Sequence, residues 1–383
     1  MTEPATGSAS WRYTFCDLLT DDPIAVLPLR DADLTETIGE AGPGRARVQL
    51  DSEHARVHDV WGSTTPRRTI CYAQRVVRRA GVEVAAPVLW HGIVWGRTRS
   101  GRDLSLIMAT PESYYAHRLV RWDRTYRRWD DARMLRDVFQ RAEATPSGGL
   151  GLRYTDTLAG VVSDRTLLAE DLRTVLETAT SIAQGGAGLD WRIRPGIDPA
   201  TGRFTKTLEV APRLGRVGVP ELRWQTSSRG RAPNEVIAYT YEEDGTGVAN
   251  LVVGLGAGQP PEQLRSTATA AQLGINEIAL GWPLLERQYS GGEELKQQAT
   301  LDRHTLGVLA AGYGAERRVT GLTVRGDLSP TLDRYGLGDE VRLDLDDPLQ
   351  PDPTAVLGRV VTRRIAPGQP GRTERVAMEL GET

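Results

Sequence analysis

Alternating apolar and polar positions dominate the first 110 residues and predict strands. Trp11–Leu19 and Ile24–Leu29 flank the turn Thr20-Asp21-Asp22-Pro23, where proline presets φ and aspartate favours the bend. Asp33–Ile38 follows, and the breaker Gly39-Glu40-Ala41-Gly42-Pro43-Gly44 separates it from Arg45–Leu50, which alternates as a half-buried strand does. Thr69–Arg79 and Glu83–Trp95 predict a hairpin around Ala80-Gly81, and Arg102–Met108 predicts one more strand. Short strands at this spacing, punctuated by turn residues, point to a sandwich or barrel.

From Thr110 the period becomes helical. Thr110-Pro111-Glu112 opens a helix to His117, with Thr as cap and Pro in the first turn. Asp130–Ala144 presents Met134, Leu135, Val138, Phe139 and Ala142 on one face, and Ala169–Ala183 presents Leu172, Val175, Leu176 and Ala179, ending at Gly185-Gly186. Leu189–Arg194 and Lys206–Val210 predict a hairpin around Asp198–Gly202. Strands then return: Glu235–Glu242 and Gly247–Val253 as a hairpin, a helix over about Glu293–Tyr313, and strands at Arg317–Arg325, Glu340–Leu345, Ala355–Ile365 and Thr373–Leu380. No short-period repeat is present, but two β-rich halves of similar size are consistent with a duplicated barrel.

The length of 383 residues predicts two to four domains. The first ten residues lack the basic and apolar regions of a signal peptide, and Val82–Trp95 is too short and too interrupted for the ~20 residues of a membrane span. A soluble protein made in the cytoplasm, without a membrane anchor, is expected. Cys16 and Cys71 are too few for a disulfide framework or a cysteine metal cluster and read as core residues in strands.

Catalytic constellations fail one by one. Gly254-Leu255-Gly256-Ala257-Gly258 lacks the third glycine of a dinucleotide fingerprint, because Gln259 or Pro261 occupies its place, and no βαβ alternation surrounds it; a flexible loop is expected. His54 and His58 are four apart, but Glu53 precedes the pair, so the zincin order is absent, and His91, His117 and His304 are scattered. There is no G-x-S-x-G elbow. The carboxylates Glu242-Glu243-Asp244 and Asp344, Asp346 and Asp347 read as solvated turns, and nothing places Trp122, Tyr126 and Trp129 beside them as a sugar cleft. Neither a cofactor nor a metal is expected, and no catalytic residue is assigned.

Charge adds one feature. The net charge is −3, against bulk binding of nucleic acid, and only Lys206 and Lys296 among the 47 basic residues are lysine. Between Trp61 and Arg141, sixteen arginines face seven acids, a local balance of 16 − 7 = +9. Arg118, Arg121, Arg124, Arg127 and Arg128 are the candidate interface residues. A positive face meeting an acidic face of a neighbouring subunit suits the near-neutral total; nucleic-acid contact is the alternative.

The C-terminal run Leu332-Asp333-Arg334-Tyr335-Gly336-Leu337-Gly338-Asp339-Glu340-Val341-Arg342-Leu343, followed by Gly358–Ile365 and Glu374–Leu380, resembles the last barrel of phage tail hub proteins. Leu89–Gly96, Leu104–Met108 and Tyr114-Tyr115 are similar to the first barrel, as Leu189–Ile193 and Thr205–Val210 are to the middle. The pattern is most similar to minor tail proteins of actinobacterial siphophages, the Gp37-like group. The resemblance implies a mainly β fold with α/β insertions: a first hub barrel at 1–110, an α/β insertion at 111–220, a second barrel from 221–265 and 316–383, and a helical insertion at 266–315. It implies a structural, non-enzymatic virion protein: a homotrimeric baseplate hub at the tip of a long non-contractile tail, joining sixfold tail to threefold tip. Its implied partners are the distal tail protein, the tape-measure protein and other tip or spike proteins, with phage DNA passing through the ring without specific binding. A cell-wall glycoside hydrolase and a host-glycan-binding receptor protein are the alternatives.

Overall fold

A computed structural model describes residues 8–53, 57–185, 188–219, 222–226, 236–274, 278–290, 297–312, 316–345, 354–369 and 372–381. The chain divides into a larger unit, residues 1–239 with 321–383, and a smaller one, residues 240–320.

In the larger unit, the N-terminal strands form an antiparallel sheet in the order Pro23–Val26, Ser8–Asp17, Thr69–Arg79, Val88–Ser100, Asp103–Ala109, Pro43–Gln49 and Arg30–Thr37. Thr69–Val76 is buried on both faces, whereas Pro43–Gln49 alternates, with Ala46 and Val48 inward and Arg45 and Arg47 outward. Trp90 fills the space that two glycines leave: a Cβ at Gly44 would lie 2.5 Å from its ring and one at Gly92 would overlap it. Its indole N–H donates to the Thr35 carbonyl at 2.8 Å.

The N-terminal sheet continues into the C-terminal strands. Arg30–Thr37 pairs with Thr354–Ala366, matching Thr37 with Thr362 and Leu34 with Ile365, and Arg375–Gly381 and Glu316–Arg325 follow. Two β halves at opposite ends of the sequence are thus hydrogen-bonded edge to edge. This closes off strand edges that would otherwise recruit foreign chains.

Between the halves lies an α/β insertion. Helix Asp131–Glu143, capped by Asp130, buries the expected Met134, Leu135, Val138, Phe139 and Ala142. Against it pack helix Val175–Ala183 and the hairpin Asp190–Ile197/Phe204–Ala211, with the Phe139 and Trp191 rings 5.4 Å apart. The expected single helix from Ala169 is broken. A 3-10 turn at Ala169–Asp171 ends on Leu172 in the left-handed region, and Thr174 with Glu177 then starts the helix through a capping box. Thr110 does not cap the short helix Glu112–Tyr115; its hydroxyl instead accepts from the Gly42 N–H at 2.9 Å. Arg124–Asp130 and Val162–Leu167 form a ribbon that the helical pattern around them concealed.

In the smaller unit, Leu251–Leu255 is the middle strand of three, antiparallel to Arg265–Thr269 and parallel to Glu286–Ser290, with helix Gln298–Gly312 packed on them. The expected Glu235–Glu242/Gly247–Val253 hairpin therefore does not form, because Val236–Asp244 lies beside Glu316–Arg325. The expected loop at Gly254 is strand. Its missing side chain lets the helix approach, for a Cβ there would overlap the Thr305 hydroxyl. Glu293 and Lys296 lie outside the described residues.

Candidate functional site

The five interface arginines separate into two kinds. Arg118 is committed to its own chain: it donates to the Tyr114 hydroxyl at 2.8 Å, to the Ala142 carbonyl at 3.0 Å and to the Gly148 carbonyl, and lies over the Tyr114 ring. Arg124 lies over the Tyr126 and Trp129 rings, 5.3 and 5.1 Å from their centres, and 3.7 Å from Asp137. Arg121, Arg127 and Arg128 are exposed, and their guanidinium groups make no ion pair among the described residues. Arg128 is positioned by its backbone, whose N–H donates to Asp164 at 2.5 Å from a residue with φ +50°.

Buried charges hold the two β halves together. Arg75 is 3% exposed; its guanidinium reaches Glu374 at 2.9 Å and Asp333 at 2.7 Å, and Trp11 also donates to Glu374, at 2.8 Å. Burial pushes the Glu374 carboxyl above its ordinary pKa, against the pull of Arg75. Arg363, 4% exposed, pairs with Glu36 at 2.7 Å and donates to the carbonyls of Leu89, Leu332 and Tyr335. Lys206 is wholly buried and donates to Asp21 at 2.6 Å, which also accepts from the Tyr72 hydroxyl at 2.6 Å. It ties the insertion hairpin to the first turn of the N-terminal sheet. Charge counting missed all three, since burial is not visible in composition.

The Tyr335-Gly336-Leu337-Gly338-Asp339 run is a turn built for a close crossing. Gly338 has φ +86°, and a Cβ there would overlap the carbonyl of Leu214 in the segment 213–216. Asp339 accepts from the N–H groups of Gly336, at 3.0 Å, and Arg216, at 2.8 Å, and pairs with the Arg216 guanidinium. Beside this turn, against the Asp190–Ala211 hairpin, opens a cleft of about 690 Å3.

The residues tested for catalysis do not assemble. Among the described residues no three His, Cys, Asp or Glu side chains converge as a metal site. His54, Asp346 and Asp347 fall outside the described residues. Glu242, Glu243 and Asp244 are exposed at the end of a strand. Cys16 and Cys71 are free and buried, and burial pushes the Cys16 thiol up to about 12. Tyr126 is buried with its hydroxyl on Asp137, so it offers no sugar-binding face. No helix among the described residues is long and apolar enough to cross a membrane.

One titratable pair escaped the sequence reading. His91 and Glu112 grip the same backbone residue: His91 Nε2 donates to the Ile193 carbonyl at 2.9 Å, and the Ile193 N–H donates to Glu112 Oε1 at 2.6 Å. Glu112 Oε2 and His91 Nδ1 have no partner, and both residues line a cavity of about 20 Å3, enough for one water. Burial raises the Glu112 carboxyl to about 7 and lowers His91 to about 3.

No protein-family model matches the chain. No curated protein matches it in sequence. Solved structures do. The tail protein from Neisseria meningitidis MC58 aligns at a TM-score of 0.50 and 12% identity over 97% of each chain. The 43 kDa tail protein of prophage MuSo2 from Shewanella oneidensis aligns at 0.50 and 8% identity, over 97% of this chain and 98% of that one. A chain of the Francisella PdpA–VgrG complex reaches 0.53 at 8% identity, over 97% of this chain and 58% of that one. At these identities the likeness establishes the fold: mainly β with α/β insertions, of the phage tail hub-like type.

Proposed function

We propose that the protein is a structural, non-enzymatic component of a phage tail, the hub of a siphophage tail tip, of the kind found in the Gp37-like minor tail proteins. The observation that carries this reading is the edge-to-edge union of the N- and C-terminal β halves, in a fold that follows two tail proteins along 97% of its length. The reading assigns hub barrels to 1–110 and to 221–265 with 316–383, separated by insertions at 111–220 and 266–315, although Leu251–Leu255 belongs to the three-stranded sheet of the smaller unit. Three copies, each contributing two quasi-equivalent barrels, would present near-sixfold symmetry to the tail and threefold symmetry to the tip. The exposed Arg121, Arg127 and Arg128 face an acidic surface of the neighbouring copy. The distal tail protein, the tape-measure protein and tip or spike proteins are its partners in a virion assembled in the host cytoplasm, and DNA passes through the ring without specific binding.

Size-exclusion chromatography with light scattering, followed by electron microscopy, tests the ring. A trimer with a central opening is expected. A monomer at every accessible concentration, or copies absent from purified virions, overturns the reading.

A further inference from the structure

The cleft beside the Leu332–Asp339 turn carries more positive charge than its acids neutralise. Among the described residues, six arginines and four acids line it. Two of those arginines are matched one to one, Arg363 by Glu36 and Arg216 by Asp339. On the hairpin wall, Arg192 and Arg194 share the single carboxylate of Glu209, at 2.8 and 2.6 Å. On the facing turn, Arg334 is exposed and its guanidinium has no partner among the described residues. Arg213 reaches Glu340 only at 3.4 Å, and its Nε lacks an acceptor. Asp333, the remaining acid, is engaged by Arg75. Two walls thus offer under-neutralised guanidinium groups to one cleft, whose positive field attracts an anion.

The chemistry of that anion follows from size and lining. At about 690 Å3 the cleft far exceeds a single inorganic ion, and its cations stand on separate walls. A ligand that satisfies both must carry two anionic groups on a flexible spacer. The one aromatic residue lining the cleft among the described residues, Tyr335, is 4% exposed and presents no stacking face to a nucleobase or a sugar ring. Guanidinium forks match planar carboxylates in bidentate geometry. We propose that this cleft binds an acidic peptide segment of a partner protein, with one Asp or Glu carboxylate on Arg194 and a second on Arg334.

Fluorescein-labelled hexaglutamate, titrated with the full chain at low ionic strength and followed by anisotropy, tests the assignment. Saturable binding is expected, weakened at least about tenfold in the double variant R194Q/R334Q, since charge-assisted hydrogen bonds carry that much each. The control variant R68Q/R102Q removes two arginines of high exposure away from the cleft and should bind like the unaltered chain. Hydrogen exchange provides a readout independent of any variant: the peptide should slow exchange in Leu332–Asp339 and in 204–216. No binding, binding undiminished in R194Q/R334Q, or unchanged exchange in both segments overturns the proposal. So does competition by an oligonucleotide of equal charge, or by inorganic phosphate, as effective as that of unlabelled hexaglutamate. Light scattering on the same variant separates this result from the trimer reading, because R194Q/R334Q leaves Arg121, Arg127 and Arg128 in place.

Discussion

Arg363 and Arg121 carry the same side chain and the same formal charge, yet they belong to different regions and do opposite work. Arg363, in the seam between the β halves, is nearly inaccessible and donates to one carboxylate and three backbone carbonyls. Arg121, in the insertion, is exposed and pairs with nothing among the described residues. The first kind is spent on cohesion and the second is available to a partner. A balance of +9 over one segment therefore overstates the charge on offer, because Arg75, within it, is consumed inside the fold. What decides the class is whether acceptors from distant sequence converge on the guanidinium.

The sharpest way to break this comparison is to remove a spent arginine. Arg363→Ala leaves Glu36 buried without its counter-charge and strips donors from three carbonyls. A loss of about 3–5 kcal/mol is expected in urea unfolding followed by tryptophan fluorescence. Arg363→Met, which restores volume but not charge, should recover only part of it. If Arg363→Ala costs less than about 1 kcal/mol, the seam is not held as described. Next in size is Gly338→Ala. It places a side chain at φ +86° and against the Leu214 carbonyl, a cost of about 3 kcal/mol by the same measurement. Stability within experimental error of the unaltered chain would show that the segment 213–216 yields freely.

The buried Glu112 carboxyl extends the comparison to a charge the fold suppresses. Its folded pKa of about 7 stands above its ordinary 4.5, so between those values the folded state holds a proton that the unfolded state has released. Stability contributed by Glu112 is full below pH 4.5 and is lost as pH rises to about 7, by about 3 kcal/mol in all. His91 acts in the other direction. Its folded value of about 3 lies below 6.5, so its contribution is full above 6.5 and is lost as pH falls towards 3. The two slopes cancel between 4.5 and 6.5. In Glu112→Gln the amide oxygen still accepts from Ile193, but the Glu112 slope is gone. Relative to the unaltered chain, the variant should therefore gain about 3 kcal/mol on going from pH 4.5 to 7, read by unfolding series at each pH. Parallel pH profiles would mean that Glu112 is ionised in the folded state.

How much of this was legible depended on whether the cause was local. Asp131–Glu143 follows from periodicity nearly to the residue, and turn chemistry places the hairpin around Asp198–Gly202, whose strands Asp190–Ile197 and Phe204–Ala211 run two to three residues closer to the turn than expected. The break at Leu172 was also written locally, since Thr174 and Glu177 spell a capping box, but continuous apolar spacing through Ala183 masked it. Gly254 could not be read correctly from neighbours, because the reason for glycine is Thr305, fifty-one positions on. The same applies to the cleft: Arg194 and Arg334 both line it although they stand 140 positions apart in the chain. The Tyr335–Asp339 run carries a family resemblance without revealing that it shapes this wall.

The smallest effect on stability should come from the available arginines, and there it is the contrast between readouts that matters. Arg121→Gln with Arg127→Gln removes two exposed charges that make no ion pair among the described residues. Surface substitutions of this kind change stability by about 0.5 kcal/mol or less. If these residues face an acidic surface of a neighbouring copy, the same variant should shift the proposed trimer towards monomer, and the shift should shrink as rising ionic strength screens the attraction in the unaltered chain. Sedimentation at several salt concentrations reads both effects. An unaltered association constant combined with unaltered stability would place Arg121 and Arg127 outside the interface. A large loss of stability would instead move them into the same class as Arg363, and the division between spent and available arginines would have to be redrawn.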